Sequence, residues 1–237
     1  SAFAHKGGIH VAAIRRNVDS YQHIDPELIG NEMRVLVSDL SGRGNLLSKA
    51  EELGLDVSRD EAAQVLDEIK LLENEGYVFE GAEASIAVRM HRAKPDYEPP
   101  FQLLDFTVLV EDRQRRGHFS EAMVKLEVDG NIVHTAAEGE GPVNALDMAL
   151  RKALMPYYPE IADFQLVDYK VRILDSENAT AATTRVLIDT QRGAQHWSTV
   201  GAGTDIIRAS WLSLIDSVEY GICLADEAQP VVEAVGD

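Results

Sequence analysis

The chain has 237 residues, 45% of them apolar and 26% charged, and its 40 acidic residues outweigh 22 basic ones for a formal charge of −18. A chain of this length buries a substantial core as one or two domains, and a negative field spread along it argues against nucleic acid and membrane as partners. The single cysteine, Cys223, excludes an internal disulfide framework and a cysteine-based zinc cluster. No apolar run approaches the ~20 residues of a membrane span and no signal peptide is visible, so the expected compartment is cytoplasmic.

Residues 1–35 carry glycines and histidines, then reach Ile24-Asp25-Pro26-Glu27, where Asp25 can cap a short helix with Pro26 at its first position. This stretch reads as an accessory linker subdomain of irregular structure and short helices. A helical subdomain follows over 36–94. Its first helix begins after Ser41, carries Leu46, Leu47, Ala50 and Leu53 on one side, and stops at Gly54. Ser58-Arg59-Asp60-Glu61 has the form of a capping box, and Ala62, Val65, Leu66, Ile69 and Leu72 continue at helical spacing to Gly76. A third helix is expected from Gly81 to about Arg92. The run Lys94–Pro100, with three prolines, cannot continue a helix and reads as a linker.

After the linker the apolar period changes from 3.6 to 2. Leu104, Phe106, Val108 and Val110 alternate with Leu103, Asp105, Thr107 and Leu109, which predicts a strand with one buried face. A second strand holds Val124, Leu126 and Val128, turns at Asp129-Gly130, and returns as Ile132–Ala136. Gly141-Pro142 opens a helix to about Leu154. The same order then recurs: Phe164–Ile173 repeats Phe101–Val110 with five of ten positions identical. Val167, Tyr169, Val171 and Ile173 are predicted to form its buried face. Strands near Thr183–Asp189 and His196–Val200 and a helix from Thr204 to about Gly221 complete the second copy. The predicted fold is α+β: small helical subdomains, then a pseudo-twofold duplicated (βββα)2 regulatory and dimerisation domain over 101–224, with a tail at 225–237.

Two glycine pairs stand where a strand ends and a helix begins, Gly139-x-Gly141 and Gly201-x-Gly203. Unpaired amides and the positive end of the helix dipole favour a carboxylate or phosphate there. The competing explanation is a tight turn needing positive φ. Neither pair fits a dinucleotide fingerprint, because the third glycine and the parallel setting are lacking. His5 and His10 flank two glycines, a spacing open to a metal pair or to structural roles, and Tyr21 has a partly buried ring as its ordinary reading. Ser41-Gly42-Arg43-Gly44-Asn45 is either an anion-holding turn or a plain cap.

Ser1–His10, with Tyr21-x-x-Ile24-Asp25-Pro26-Glu27-Leu28-Ile29-Gly30-Asn31, resembles the post-barrel region of the 2-isopropylmalate synthase and citramalate synthase family. Gly139–Leu146 and Ile206–Tyr220 resemble that family's C-terminal regulatory domain. Leu36–Asn45 is closer to the citramalate synthase branch. The resemblance implies an enzyme that condenses acetyl-CoA with a 2-oxo acid, pyruvate in that branch, on a TIM barrel holding a divalent metal. Neither the barrel nor its metal ligands are in this chain, so the fragment is expected to need no cofactor of its own, to be inactive alone, and to work with a barrel in cis and with that of a partner subunit in a homodimer.

By motif matching, His10 and Tyr21 correspond to residues that family members lend to an active site, where they would polarise the 2-oxo acid carbonyl or relay a proton. Gly139, Gly141 and Asn144, with the loop at Ala179, Ala181 and Ala182, match the region that meets a branched-chain amino-acid effector, isoleucine before leucine; Gly201 and Gly203 of the second turn are effector candidates by position, and Asp168 is a candidate for the effector's ammonium. Asp105 is a further candidate for the effector's ammonium. Two alternatives stay open: the same region of a 2-isopropylmalate synthase with leucine as effector, and a free-standing amino-acid-binding dimerisation module.

Overall fold

The capping and period signals fall where the helices form. The computed structural model describes residues 4–5, 34–35, 37–38, 41–113 and 117–223. Near the N-terminus, β1 (Ala4–His5) pairs in parallel with β2 (Arg34–Val35). Three helices follow, α1 (Arg43–Glu52), α2 (Arg59–Asn74) and α3 (Glu83–Arg92). The box at Ser58 is complete: its hydroxyl accepts from the Glu61 amide and the Glu61 carboxylate accepts from the Ser58 amide. Two unpaired donors at the start of α2 are thereby satisfied. Gly54 (φ 72°) and Gly76 (φ 104°) end α1 and α2 in the left-handed region that glycine tolerates.

Two three-stranded antiparallel sheets then form in chain order. The first holds β3 (Gln102–Arg113), β4 (Gly117–Val128) and β5 (Asn131–Gly139), and is followed by α4 (Pro142–Leu154). Asp129 (φ 49°) and Gly130 (φ 70°) both take positive φ, the two-residue turn that matches strand twist. The second sheet holds β6 (Gln165–Ile173), β7 (Thr184–Arg192) and β8 (Gln195–Gly203), and is followed by α5 (Ile206–Cys223). In both sheets the first strand slips register at the same place in the repeated decapeptide, between Leu103 and Asp105 and between Leu166 and Asp168.

Alternation decides what each sheet buries. Ala122, Val124, Leu126 and Val128 of β4 face the core with Ala145, Leu146, Ala149 and Leu150 of α4, while Val186 and Ile188 of β7 lie under α5. Trp211 of α5 stacks on Phe106 of β3 with ring centroids 5.3 Å apart, so a helix of the second unit packs on the first sheet. The helices at 43–92 share that core. One expectation holds only in part: Tyr169 of edge strand β6 is partly buried, its hydroxyl 2.8 Å from Ser210 Oγ of α5, but Val167, Val171 and Ile173 are exposed. Leu104, Leu109 and Val110 of the other edge strand, β3, are exposed as well.

The proline-rich stretch is docked onto this assembly. Tyr97 donates its hydroxyl hydrogen to Glu219 Oε1 at 2.6 Å, and Tyr158 donates to the Pro100 carbonyl at 2.9 Å. Beneath it, Arg89 and Arg92 of α3 meet Asp216 and Glu219 of α5. Ser85 donates to Asp216 Oδ2 and accepts from the Val200 amide of β8, tying α3, α5 and the second sheet through one hydroxyl. Burial pushes the Tyr97 phenol up, with the Glu219 hydrogen bond adding to the effect. Among the described residues no helix is long and apolar enough to cross a membrane.

Candidate functional site

Both Gly-x-Gly turns lead from a last strand into a helix, and within each the two glycines differ. A Cβ on Gly139 would sit 2.5 Å from the Ala145 amide nitrogen, and one on Gly201 would sit 2.0 Å from the Ala209 carbonyl oxygen. These first glycines let the helix lie directly on its strand. None of the four lies at positive φ, so the tight-turn explanation is replaced by close backbone approach. Around Gly141 and Gly203, by contrast, a Cβ would meet nothing within 4 Å.

The two helix starts also differ. Gly141 is the N-cap of α4 with Pro142 at the first position, and no side chain caps that helix. Asn144 instead turns back, its Oδ1 accepting from the Glu140 amide at 3.0 Å, which leaves its NH2 group as a donor. At α5 the Asp205 carboxylate accepts from the Ile207 and Arg208 amides at 2.7 and 2.9 Å. An internal carboxylate therefore occupies the second turn where a ligand carboxylate would bind.

Thr184 pairs with Gly203, so the 174–183 connection and the second turn lie at one end of the second sheet. Ser176–Ala181 is a 3₁₀ helix containing Ala179; Ala181 is exposed and Ala182 is buried. Asp175 closes this loop by accepting from the Asn178 side chain and the Thr183 amide, and these bonds, the first foremost, hold its carboxyl below the usual range. Asp168 stands apart. It is level with Asp189 and Ser198, five residues from Gly203 and so ~16 Å along the strand. Its carboxylate pairs with Lys170 at 2.5 Å, the main reason its pKa is lowered. Asp105 lies opposite Lys125 on β4.

Asp205 and Asp175 are not among the candidate residues that the sequence points to. Asp205 carried a usable signal, an aspartate directly before the apolar run Ile206-Ile207. His10 and Tyr21 lie outside the described residues, as do residues 114–116 and 224–237. Among the described residues no group of three or more His, Cys, Asp or Glu is placed to hold a metal.

Residues 80–222 match the family described as the LeuA allosteric (dimerisation) domain, and residues 1–77 match the homocitrate synthase post-HMGL domain-like family. Over 97% of its length the chain is 49% identical to an (R)-citramalate synthase of Geobacter sulfurreducens, of which it covers 44%. It is 47% identical over 94% of its length to one of Synechocystis sp., covering 42% of that protein. A (R)-citramalate synthase CimA of Methanocaldococcus jannaschii is 31% identical over 94% of the chain. The chain thus spans less than half the length of these curated relatives.

Proposed function

Since the chain belongs to the LeuA allosteric (dimerisation) domain family, we propose that it is the accessory and regulatory C-terminal part of a citramalate synthase-like acyltransferase, which joins acetyl-CoA and pyruvate. The observation that carries this reading is the 49% identity to a citramalate synthase maintained over nearly the whole chain. On this reading the two βββα units are copies of one ancestral unit, and the shared register slip and matched glycine turns support it.

The effector is a branched-chain amino acid, isoleucine by branch-level resemblance, and its carboxylate goes to the α4 turn. That helix start has no side-chain cap, space beside Gly141, and the Asn144 NH2 group nearby. A second copy of the chain covers the exposed apolar residues of the edge strands β3 and β6, as the dimerisation description of the family would have it.

Calorimetry on the whole chain with isoleucine, leucine and valine tests the effector assignment. Saturable heat from isoleucine, lost in Gly141→Val, supports it; no heat from any of the three overturns it. An apolar pocket separates isoleucine from leucine by only ~1–3 kcal/mol, so weaker leucine binding is expected.

A further inference from the structure

On the face of the second sheet turned away from α5, Arg172 of β6 lies directly opposite Arg185 of β7. Like charges in this arrangement repel and weaken strand pairing. The pair is conspicuous in a chain of net charge −18. Lys170, one pleat along, is balanced by Asp168 and Asp189, but Arg172 meets no carboxylate at ion-pair distance among the described residues. Arg185 is partly buried, and its Nε donates to the Gly76 carbonyl at 2.7 Å, which anchors the guanidinium under the turn that ends α2. Burial first and the Arg172 charge second pull its pKa down, with Glu73 opposing them.

The two arginines line a cleft of about 470 Å³ between the sheet and the segment after α2, where Val78 and Glu80 form the facing wall and Leu187 adds aliphatic surface. That volume suits a metabolite-sized ligand. We infer that this cleft binds a small aliphatic carboxylate, its oxyanion held between Arg172 and Arg185 and its short body set against Val78 and Leu187. A bidentate oxyanion relieves the cross-strand repulsion, and guanidinium is the cation best shaped for it. Arg185 is level with Ala202 of the second turn but on the face of the second sheet turned away from α5, whereas the proposed effector site is at the α4 turn after the first sheet. A ligand here would also bridge the helical segment to the sheet.

Glu80 separates two sources of such a carboxylate. It attracts the ammonium of an amino acid and repels the second carboxylate of a hydroxy diacid. The test is calorimetry of the whole chain with malate and with isoleucine, on wild type and on Arg172→Gln, Arg185→Gln, Glu80→Gln and Gly141→Val. Arg172 is exposed and bears no structural bond, so its variant is expected to fold.

At least one ligand should bind wild type in a saturable step that persists in Gly141→Val, apart from any step that variant removes, and that weakens roughly tenfold or more in Arg172→Gln, the loss of one charge-assisted contact. Glu80→Gln should tighten malate or weaken isoleucine, according to which occupies the cleft. The inference is overturned if neither ligand binds below about 10 mM, a bound of under 3 kcal/mol. It is equally overturned if both arginine variants bind as wild type, or if Arg172→Gln changes only self-association, which would place protein carboxylates on the arginines. Isoleucine binding lost in Gly141→Val but kept in Arg172→Gln, with no malate binding, defeats this inference and leaves the effector assignment standing.

Discussion

Arg89 and Asp216, 127 positions apart in the chain, meet at 2.7 Å with both side chains almost wholly withdrawn from water. The guanidinium also donates to the Ser85 carbonyl and lies 5.3 Å from the centre of the Phe79 ring and 5.7 Å from that of Tyr77. Removing the carboxylate leaves the buried cation with only the half-exposed Glu68, 3.4 Å from its Nε, as a counter-charge. Asp216→Ala should therefore lower unfolding free energy by about 3–5 kcal/mol, read from urea denaturation of the whole chain. A loss below about 1 kcal/mol would show that water already reaches the pair.

The two glycines of the second turn should respond differently to one methyl group. Gly201→Ala forces the new carbon against the Ala209 carbonyl, so α5 must lift from β8, at a cost of about 2 kcal/mol or more. Gly203→Ala has open space and should stay within about 1 kcal/mol of wild type. Equal melting temperatures for the two variants would contradict the close-approach explanation.

Helix capping predicts that the two turns also differ in ligand binding. Asp205→Ala removes the acceptor for two amides and should destabilise α5 by about 1 kcal/mol. Effector binding at the α4 turn should survive it. If isoleucine affinity falls as much in Asp205→Ala as in Gly141→Val, the assignment of the ligand to the first turn alone fails.

The loop at 175–183 should depend on pH through Asp175. Its folded pKa lies below the ordinary carboxylate value, so its contribution is present above about pH 4, the unfolded value. That contribution is lost as pH falls through the lowered folded value. Amide exchange at Thr183 checks this: protection should drop at acid pH in wild type, and Asp175→Ala should be several-fold less protected already at neutral pH.

On the proposed function, His10→Ala or Tyr21→Phe in a full-length acyltransferase should slow turnover by ~10²–10⁴, the loss of a positioned proton donor or acceptor. Circular dichroism should stay unchanged. Normal turnover in both variants would return these two residues to structural roles.

Local signals carried most of the fold. Ser58 and Glu61 announced the start of α2, Asp129-Gly130 fixed a hairpin, and the recurrence of Phe101–Val110 announced a second sheet. What stayed hidden depends on distant partners. Nothing near Asp216 or Glu219 in the sequence says that these carboxylates are buried, because their cations arrive from α3. The exposure of Val167, Val171 and Ile173 was equally silent, since alternation marks an apolar face without saying whether this chain covers it. At the candidate site the two Gly-x-Gly turns look alike in sequence. Asp205 and Pro142 make them chemically unlike.

The docking of Tyr97 and α3 bears on where the chain can be cut. A piece lacking everything before the prolines would be without Arg89, Arg92 and Ser85 and would leave Asp216 and Glu219 in an apolar setting with no cation. Two uncompensated carboxylates would then have to take up protons or pull α5 outward. A piece that begins at residue 80, where the family match begins, keeps α3 and its cations. A single nick at the exposed prolines removes none of these residues, so the halves should stay associated until denaturant separates them.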